Sequence, residues 1–155
     1  MIKKITDKDK DIYFELANEF YNSDAVIKPV PQHYFENTFQ EMMRSDVYTE
    51  GFLLMADGTV QGYALIAKTF SQEAGGLAVW IEELYVREKY RSRGLGSEFF
   101  EFVQREIPAA RYRLEVEPEN ERAIALYRRK GFEVLPYRQM VSQSIQTRTS
   151  LKGRF

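Results

Sequence analysis

Arg91-Ser92-Arg93-Gly94-Leu95-Gly96 is the segment whose residue types and spacing point most directly to chemistry. It lies between an apolar run, LAVWIEELYV, and SEFFEFVQREI, in which Phe99, Phe102, Val103 and Ile107 fall on one side of a helix. Glycines at 94 and 96 let successive backbone N–H groups approach an anion without Cβ interference, and the following helix presents unpaired N–H groups at its positive end. Such a cradle suits a diphosphate, and Arg87, Lys89, Arg91 and Arg93 can add charge-assisted contacts. Two familiar phosphate motifs do not fit. The run lacks the Lys-Ser/Thr ending of a P-loop, and GLGSEF has phenylalanine where a dinucleotide fingerprint needs a third small residue. The competing reading is a surface turn with solvated arginines.

The elements that must position this loop read as a mixed α/β order. Ile12, Leu16 and Phe20 at fourfold spacing predict a helix from Asp9 to Tyr21, and Tyr34, Phe35, Thr38, Phe39, Met42 and Met43 predict a second through Arg44. GFLLMA, Asp57-Gly58 and TVQGYALIAK read as a hairpin. LAVWIEELYV is a central strand, the helix of SEFFEFVQREI ends before Pro108, and Tyr112, Leu114 and Val116 alternate as a strand. Asn120 caps ERAIALYRRKG, which stops at Gly131. A first strand at Ile2 to Ile5 and a final one within Phe132 to Val141, interrupted or at an edge because of Pro136, complete the order. The expected organisation is one domain over residues 1–141 and a basic tail or edge strand over 142–155, where Arg148, Lys152 and Arg154 occur without an acid.

Composition narrows the chemistry. The 155 residues include no cysteine and one histidine, His33, which excludes disulfides, thiolate nucleophiles and multi-imidazole zinc sites; no metal is expected. His33, near Pro31, reads as helix-start or surface structure. A net charge of −1 does not describe a phosphate-binding basic module, so no nucleic-acid partner is expected. The charged start, MIKKITDKDKD, has no apolar targeting stretch, and no segment has the roughly 20 apolar residues of a membrane span. The expectation is a cytoplasmic protein without a membrane partner.

The Arg91 to Gly96 run, its flanking strand and helix, the strand ending LEVEPEN and the helix ERAIALYRRKGF together resemble the GCN5-related N-acetyltransferase (GNAT) family over about residues 77 to 132. The resemblance implies a single-domain α/β acyl-CoA N-acyltransferase fold, with a mixed central sheet flanked by helices, and acetyl-CoA as cosubstrate. It implies that Arg91, Ser92, Arg93, Gly94, Leu95, Gly96 and Ser97 hold the pyrophosphate and that Leu84, Tyr85 and Val86 run beside the pantetheine arm. Asn120 then either caps its helix or also bonds the cofactor arm, and Tyr127 lies at the cofactor as general acid to the sulfur. Tyrosine suits that task because it stays protonated near neutrality.

IEELYV further resembles the polyamine and diamine acetyltransferases of the family, which implies Glu82 as proton acceptor through water, with Glu83 as fallback. Strand alternation sends the two acids to opposite faces unless a bulge intervenes. Structural ion-pair or solvated-edge roles remain the alternative for both. Asp24, Tyr34, Glu36 and Glu82 are the expected acceptor-binding residues, and their charge favours a small cationic amine such as a polyamine or aminoglycoside. The competing functions are a peptide or protein N-acetyltransferase and a non-catalytic acyl-CoA-binding regulatory module. A homodimer through the C-terminal strand region is a further implication of the resemblance.

Overall fold

A computed structural model describes residues 1–23, 26 and 28–142. Five strands form one sheet in the order β1 to β5: β1 (Ile2–Lys4), β2 (Thr49–Ala56), β3 (Thr59–Ser71), β4 (Gly76–Val86) and β5 (Arg111–Leu114). The first four are antiparallel to their neighbours, and β5 runs parallel to β4 after a crossover through a helix. Asp57 (φ 51°) and Gly58 (φ 71°) make the β2–β3 turn, the left-handed pair that matches hairpin twist.

Helices α1 (Lys10–Tyr21) and α2 (Gln32–Arg44) cover one face of the sheet, and α3 (Leu95–Glu106) and α4 (Glu121–Arg129) pack against the other. The first core joins Tyr13, Leu16, Phe35, Phe39 and Met42 to Leu53, Tyr63 and Leu65. The second joins Phe99, Phe100 and Val103 to Phe52, Ala64, Ile66, Val79 and Ile81. Of the predicted aromatic stripe on α2, Phe35, Phe39 and Met42 are buried, whereas Tyr34 and Met43 face outward. Trp80 is only half-buried, with the Arg113 guanidinium 4.4 Å from its ring, so it sits at the β4–β5 surface and not in either core.

Two irregularities in β-pairing shape the sheet. Leu54 pairs with Gly62 and Met55 with Val60, leaving Gln61 as an extra residue; Leu65 pairs with Glu83 and Ile66 with Ile81, leaving Glu82 as another. Each is a bulge, which redirects the following side chains and increases local twist. Gly62 lies opposite Val86, where a Cβ would come 2.1 Å from the Tyr85 carbonyl oxygen. Only glycine permits β3 and β4 to approach so closely there.

The expected strand over Phe132 to Val141 is not present. Phe132 packs on Phe100 at 5.4 Å, but the chain then leaves the sheet, and Val134, Leu135, Tyr137, Met140 and Val141 are exposed. Pro136 removes a donor from the middle of that run, and its short apolar stretches do not alternate well enough to bury one face. The alternative edge strand through Ser144 to Thr147 lies outside the described residues. Among the described residues no helix is long and apolar enough to cross a membrane.

Gly62→Ala is expected to lower the urea-unfolding free energy by about 2 kcal/mol, the scale of overpacking in a closed site. An unchanged midpoint would show that β4 yields freely at Tyr85.

Candidate active site

The loop after β4 turns through the left-handed region at Ser92 (φ 64°) and again at Gly94 (φ 87°). Gly94 is the N-cap of α3, so the helix starts at Leu95, earlier than the glycine pattern suggested. Glu98 N–H bonds to the Gly94 carbonyl, which leaves the N–H groups of Leu95, Gly96 and Ser97 outside the helix's own ladder. These donors and the positive end of the helix dipole suit an anion. The two glycines serve different ends. Gly94 supplies the φ, whereas a Cβ on Gly96 would stand 3.0 Å from Leu126 Cδ2, so Gly96 lets α3 and α4 close together.

A cleft of about 1180 Å³ opens at this point. It is lined by Leu84, Tyr85 and Val86, by every residue from Arg91 to Ser97, and by Asn120 and Tyr127, so the structure gathers all the residues expected at the cofactor. The parallel β4–β5 pairing ends at Ile81 and Leu114, and the strands separate beyond it. The β5-side edge of Leu84 to Val86 consequently has no neighbouring strand among the described residues. A cleft of this size, with an anion-binding loop at one end and an unpaired strand edge along its wall, fits a long ligand carrying a diphosphate and amide groups.

The cations divide their work. Arg91 Nε donates to the Val86 carbonyl at 2.9 Å, which folds the loop back on β4. Arg93 and Lys89 lie over the Tyr90 ring, at 5.5 and 4.8 Å from its centroid. Arg87, expected as a fourth cradle cation, instead bonds Glu19 through Nε at 2.9 Å and also pairs with Glu15, so it fastens β4 to α1. Arg122 on α4 takes its place at the loop, donating to Ser92 Oγ at 2.9 Å and lining the cleft. Only its position two residues after the Asn120 cap hinted at this. Phe20, Asn22 and Ser23, at the end of α1, also line the cleft without any sequence signal of that role.

Asn120 Oδ1 accepts from Ala123 N–H at 3.1 Å, so the helix cap is real. The Tyr127 ring lies 5.6 Å from Phe100 and 6.1 Å from Phe132, and its hydroxyl has no hydrogen-bond partner among the described residues. Burial raises its pKa, keeping the hydroxyl protonated and able to donate.

Glu82 and Glu83 lie outside the cleft lining. Glu82 is the extra residue of the β4 bulge and is exposed; desolvation, then the charges of Glu115 and Glu83, raise its pKa. Glu83 turns to the α1 side, where Tyr21 and Tyr63 donate to its two oxygens. Desolvation raises its pKa, and the two tyrosine bonds oppose that shift. Tyr34 and Glu36 sit on α2, also outside the cleft lining; Tyr34 meets His33 edge-on at 4.7 Å, and Glu36 pairs with Lys10 at 2.9 Å. Asp24 lies outside the described residues. Among the described residues no three His, Asp or Glu side chains assemble as a metal site.

The sequence pattern described as Acetyltransferase (GNAT) family matches residues 10–132. Among solved structures, an integron cassette protein from the mobile metagenome of Cole Harbour Salt Marsh aligns at 21% identity over 93% of this chain and 90% of its own, with TM-score 0.75. The aminoglycoside N-acetyltransferase AAC(6')-Iy in complex with CoA aligns at 18% identity over 94% of both chains, with TM-score 0.74. The ribosomal-protein-alanine N-acetyltransferase of Brucella melitensis biovar Abortus 2308 aligns at 16% identity over 93% of this chain and 99% of its own, with TM-score 0.69. At these identities the likeness shows a shared fold.

Inorganic pyrophosphate titrated into the protein is expected to shift the backbone amide resonances of residues 94–97 before others, and Gly94→Ala to weaken that binding by about tenfold, since the added side chain costs roughly 1–2 kcal/mol in the left-handed region. Shifts confined to surface lysines would reject the cradle.

Proposed function

The chain belongs to the acetyltransferase (GNAT) family, and we propose that it transfers acetyl from acetyl-CoA directly to a primary amine of a small cationic acceptor, such as a polyamine or aminoglycoside. The observation that carries this reading is the convergence, in one cleft, of the α3 N-terminus, the free edge of Leu84 to Val86, Asn120 and the Tyr127 hydroxyl. Those groups supply what direct transfer needs from a protein. They hold the anionic end of the thioester substrate, align its arm along a strand, and offer a proton to the leaving sulfur.

Acetyl-CoA supplies the activated acyl group, so no protein nucleophile is required. Arg91 to Ser97 bind its pyrophosphate, with Arg122 bracing the loop through Ser92. Asn120, whose Oδ1 is engaged by the helix, has its amide nitrogen available for the cofactor arm. Tyr127 donates to the thiolate, and a backbone N–H of Tyr85 or Val86 stabilises the oxyanion of the attacked carbonyl. One of the two acids, Glu82 or Glu83, takes the proton from the amine, directly or through water.

The acceptor class rests on charge. The same fold carries an aminoglycoside acetyltransferase and a ribosomal-protein-alanine acetyltransferase, so architecture alone leaves the acceptor open. Glu82 and Glu83 have no cationic partner among the described residues, and an ammonium ion is the ligand their charge attracts.

A turnover screen with acetyl-CoA against diamines, polyamines, aminoglycosides, amino acids and peptide N-termini, read by intact mass, tests the reading. Products confined to peptides would replace the small-amine acceptor, and saturable binding of acetyl-CoA without any product would turn the assignment to a binding module. Tyr127→Phe is expected to keep the acetyl-CoA dissociation constant and lose roughly 10²-fold in kcat when chemistry limits the rate. Unchanged turnover would remove Tyr127 as the donor.

A further inference from the structure

Most carboxylates around α1, α2 and β4 already have a cation. Glu15 and Glu19 hold Arg87, Glu36 holds Lys10, and Glu50 holds Lys4 and Lys68. Glu83 is different. Its Oε1 accepts from the Tyr21 hydroxyl at 2.6 Å and its Oε2 from the Tyr63 hydroxyl, and among the described residues no Lys or Arg pairs with it. The two hydroxyls are neutral donors, so no side-chain cation offsets the carboxylate when it is ionised, and each oxygen retains a second lone pair.

Both donors are themselves fixed. Tyr63 is fully buried on β3, 5.9 Å from the Tyr13 ring and 6.2 Å from Phe20. Tyr21 is the last residue of α1, with its ring 5.3 Å from Phe35 and 5.1 Å from Phe20. Its chain neighbours Phe20, Asn22 and Ser23 line the cleft, as do Leu84 and Tyr85, which follow Glu83 on β4. Glu83 thus immediately precedes the part of β4 that lines the cleft and is held by two residues of the α1–β3 side, whereas Glu82 is the bulged residue and feels the charge of Glu115.

We propose that Tyr21 and Tyr63 are positioning residues that hold Glu83 as an aimed, unneutralised anion, so that Glu83 and not Glu82 takes the proton of the acceptor's ammonium group. The inference rests on the acetyl-transfer reading above. The proton passes from the ammonium nitrogen to a free lone pair of Glu83, directly or through one water, leaving the nitrogen pair to attack the thioester carbon. The C–S bond then breaks, Tyr127 protonates sulfur and regains its proton from the new amide nitrogen, and Glu83 releases its own to solvent.

The groups facing Glu83 are Tyr13 and Tyr21 from α1, Tyr63 from β3 and Glu82 from its own strand, while α2 contributes the Phe35 and Phe39 rings to the same core. The sign of the pH effect follows. Burial raises the Glu83 pKa and each tyrosine bond lowers it, so loss of a hydroxyl moves the titration to higher pH.

The test compares wild type with Tyr21→Phe and Tyr63→Phe, which keep the rings and remove the donors, using spermidine as probe amine and 13C-labelled glutamate to follow the Glu83 carboxyl. Each variant is expected to move the acidic limb of kcat/KM, and the carboxyl titration, upward by about one pH unit, a loss of about tenfold below the limb. The acetyl-CoA dissociation constant should stay constant. Glu83→Gln should abolish the limb, and Glu82→Gln should leave it. A merely structural role for the tyrosines would lower Tm without moving either profile. A carboxyl titration unmoved in both variants, or a limb removed by Glu82→Gln alone, overturns the proposal; if one tyrosine variant unfolds, the other decides. Wild type that acetylates no amine in the screen overturns the transfer reading separately, and the carboxyl titration still decides whether the tyrosines control Glu83.

Discussion

The bulge at Glu82 is the constraint from which the rest of the site follows. Before it, Val79 and Ile81 point into the α3 core; after it, Leu84 and Val86 do, while Glu83 and Tyr85 turn to α1. One extra residue thus reverses the faces of β4 midway. Without that reversal Glu83 would project toward Phe99 and Phe100, where an unpaired carboxylate is costly, and Leu84 would leave the neighbourhood of Gly96. Close to the same point β5 stops pairing, and the widening gap between the strands becomes the mouth of the cleft.

The ends of the cleft are held by long-range polar contacts. Arg87 joins the end of β4 to Glu19, 68 residues earlier on α1, and Arg122 joins α4 to the loop at Ser92. Lys3 and Thr6 both bond Asp9, which ties β1 to the start of α1. Arg87, Lys3 and Lys10 are committed to acids of the α1–α2 region, and the loop before α3 retains Arg91 and Arg93 beside free helix donors.

Local periodicity and turn chemistry made most of the fold legible. Ile12, Leu16 and Phe20 disclosed α1, Asp57-Gly58 disclosed the hairpin, and the Arg91 to Gly96 run disclosed the loop after β4 and the helix that follows it. What stayed hidden depends on contacts distant in sequence. IEELYV is apolar or acidic throughout, so nothing in it marks Glu82 as the bulged residue. Gly62 lies in an ordinary strand pattern, and its necessity comes from the Tyr85 carbonyl across the sheet. Tyr21 reads as another apolar helix position until the fold brings Glu83 to its hydroxyl. The run after Phe132 has the composition of an edge strand, but Pro136 divides it and the chain leaves the sheet.

The sheet separates two cores that share few side chains. One is built by α1 and α2, the other by α3 and α4, and the carboxylate clamp and the glycine loop fall on opposite sides of that partition. Substitutions more than about 7–10 Å apart with no common partner combine almost additively. The α1–α2 side can consequently be repacked with little effect on the α3–α4 side, and only the few residues of β4 between them must satisfy both cores.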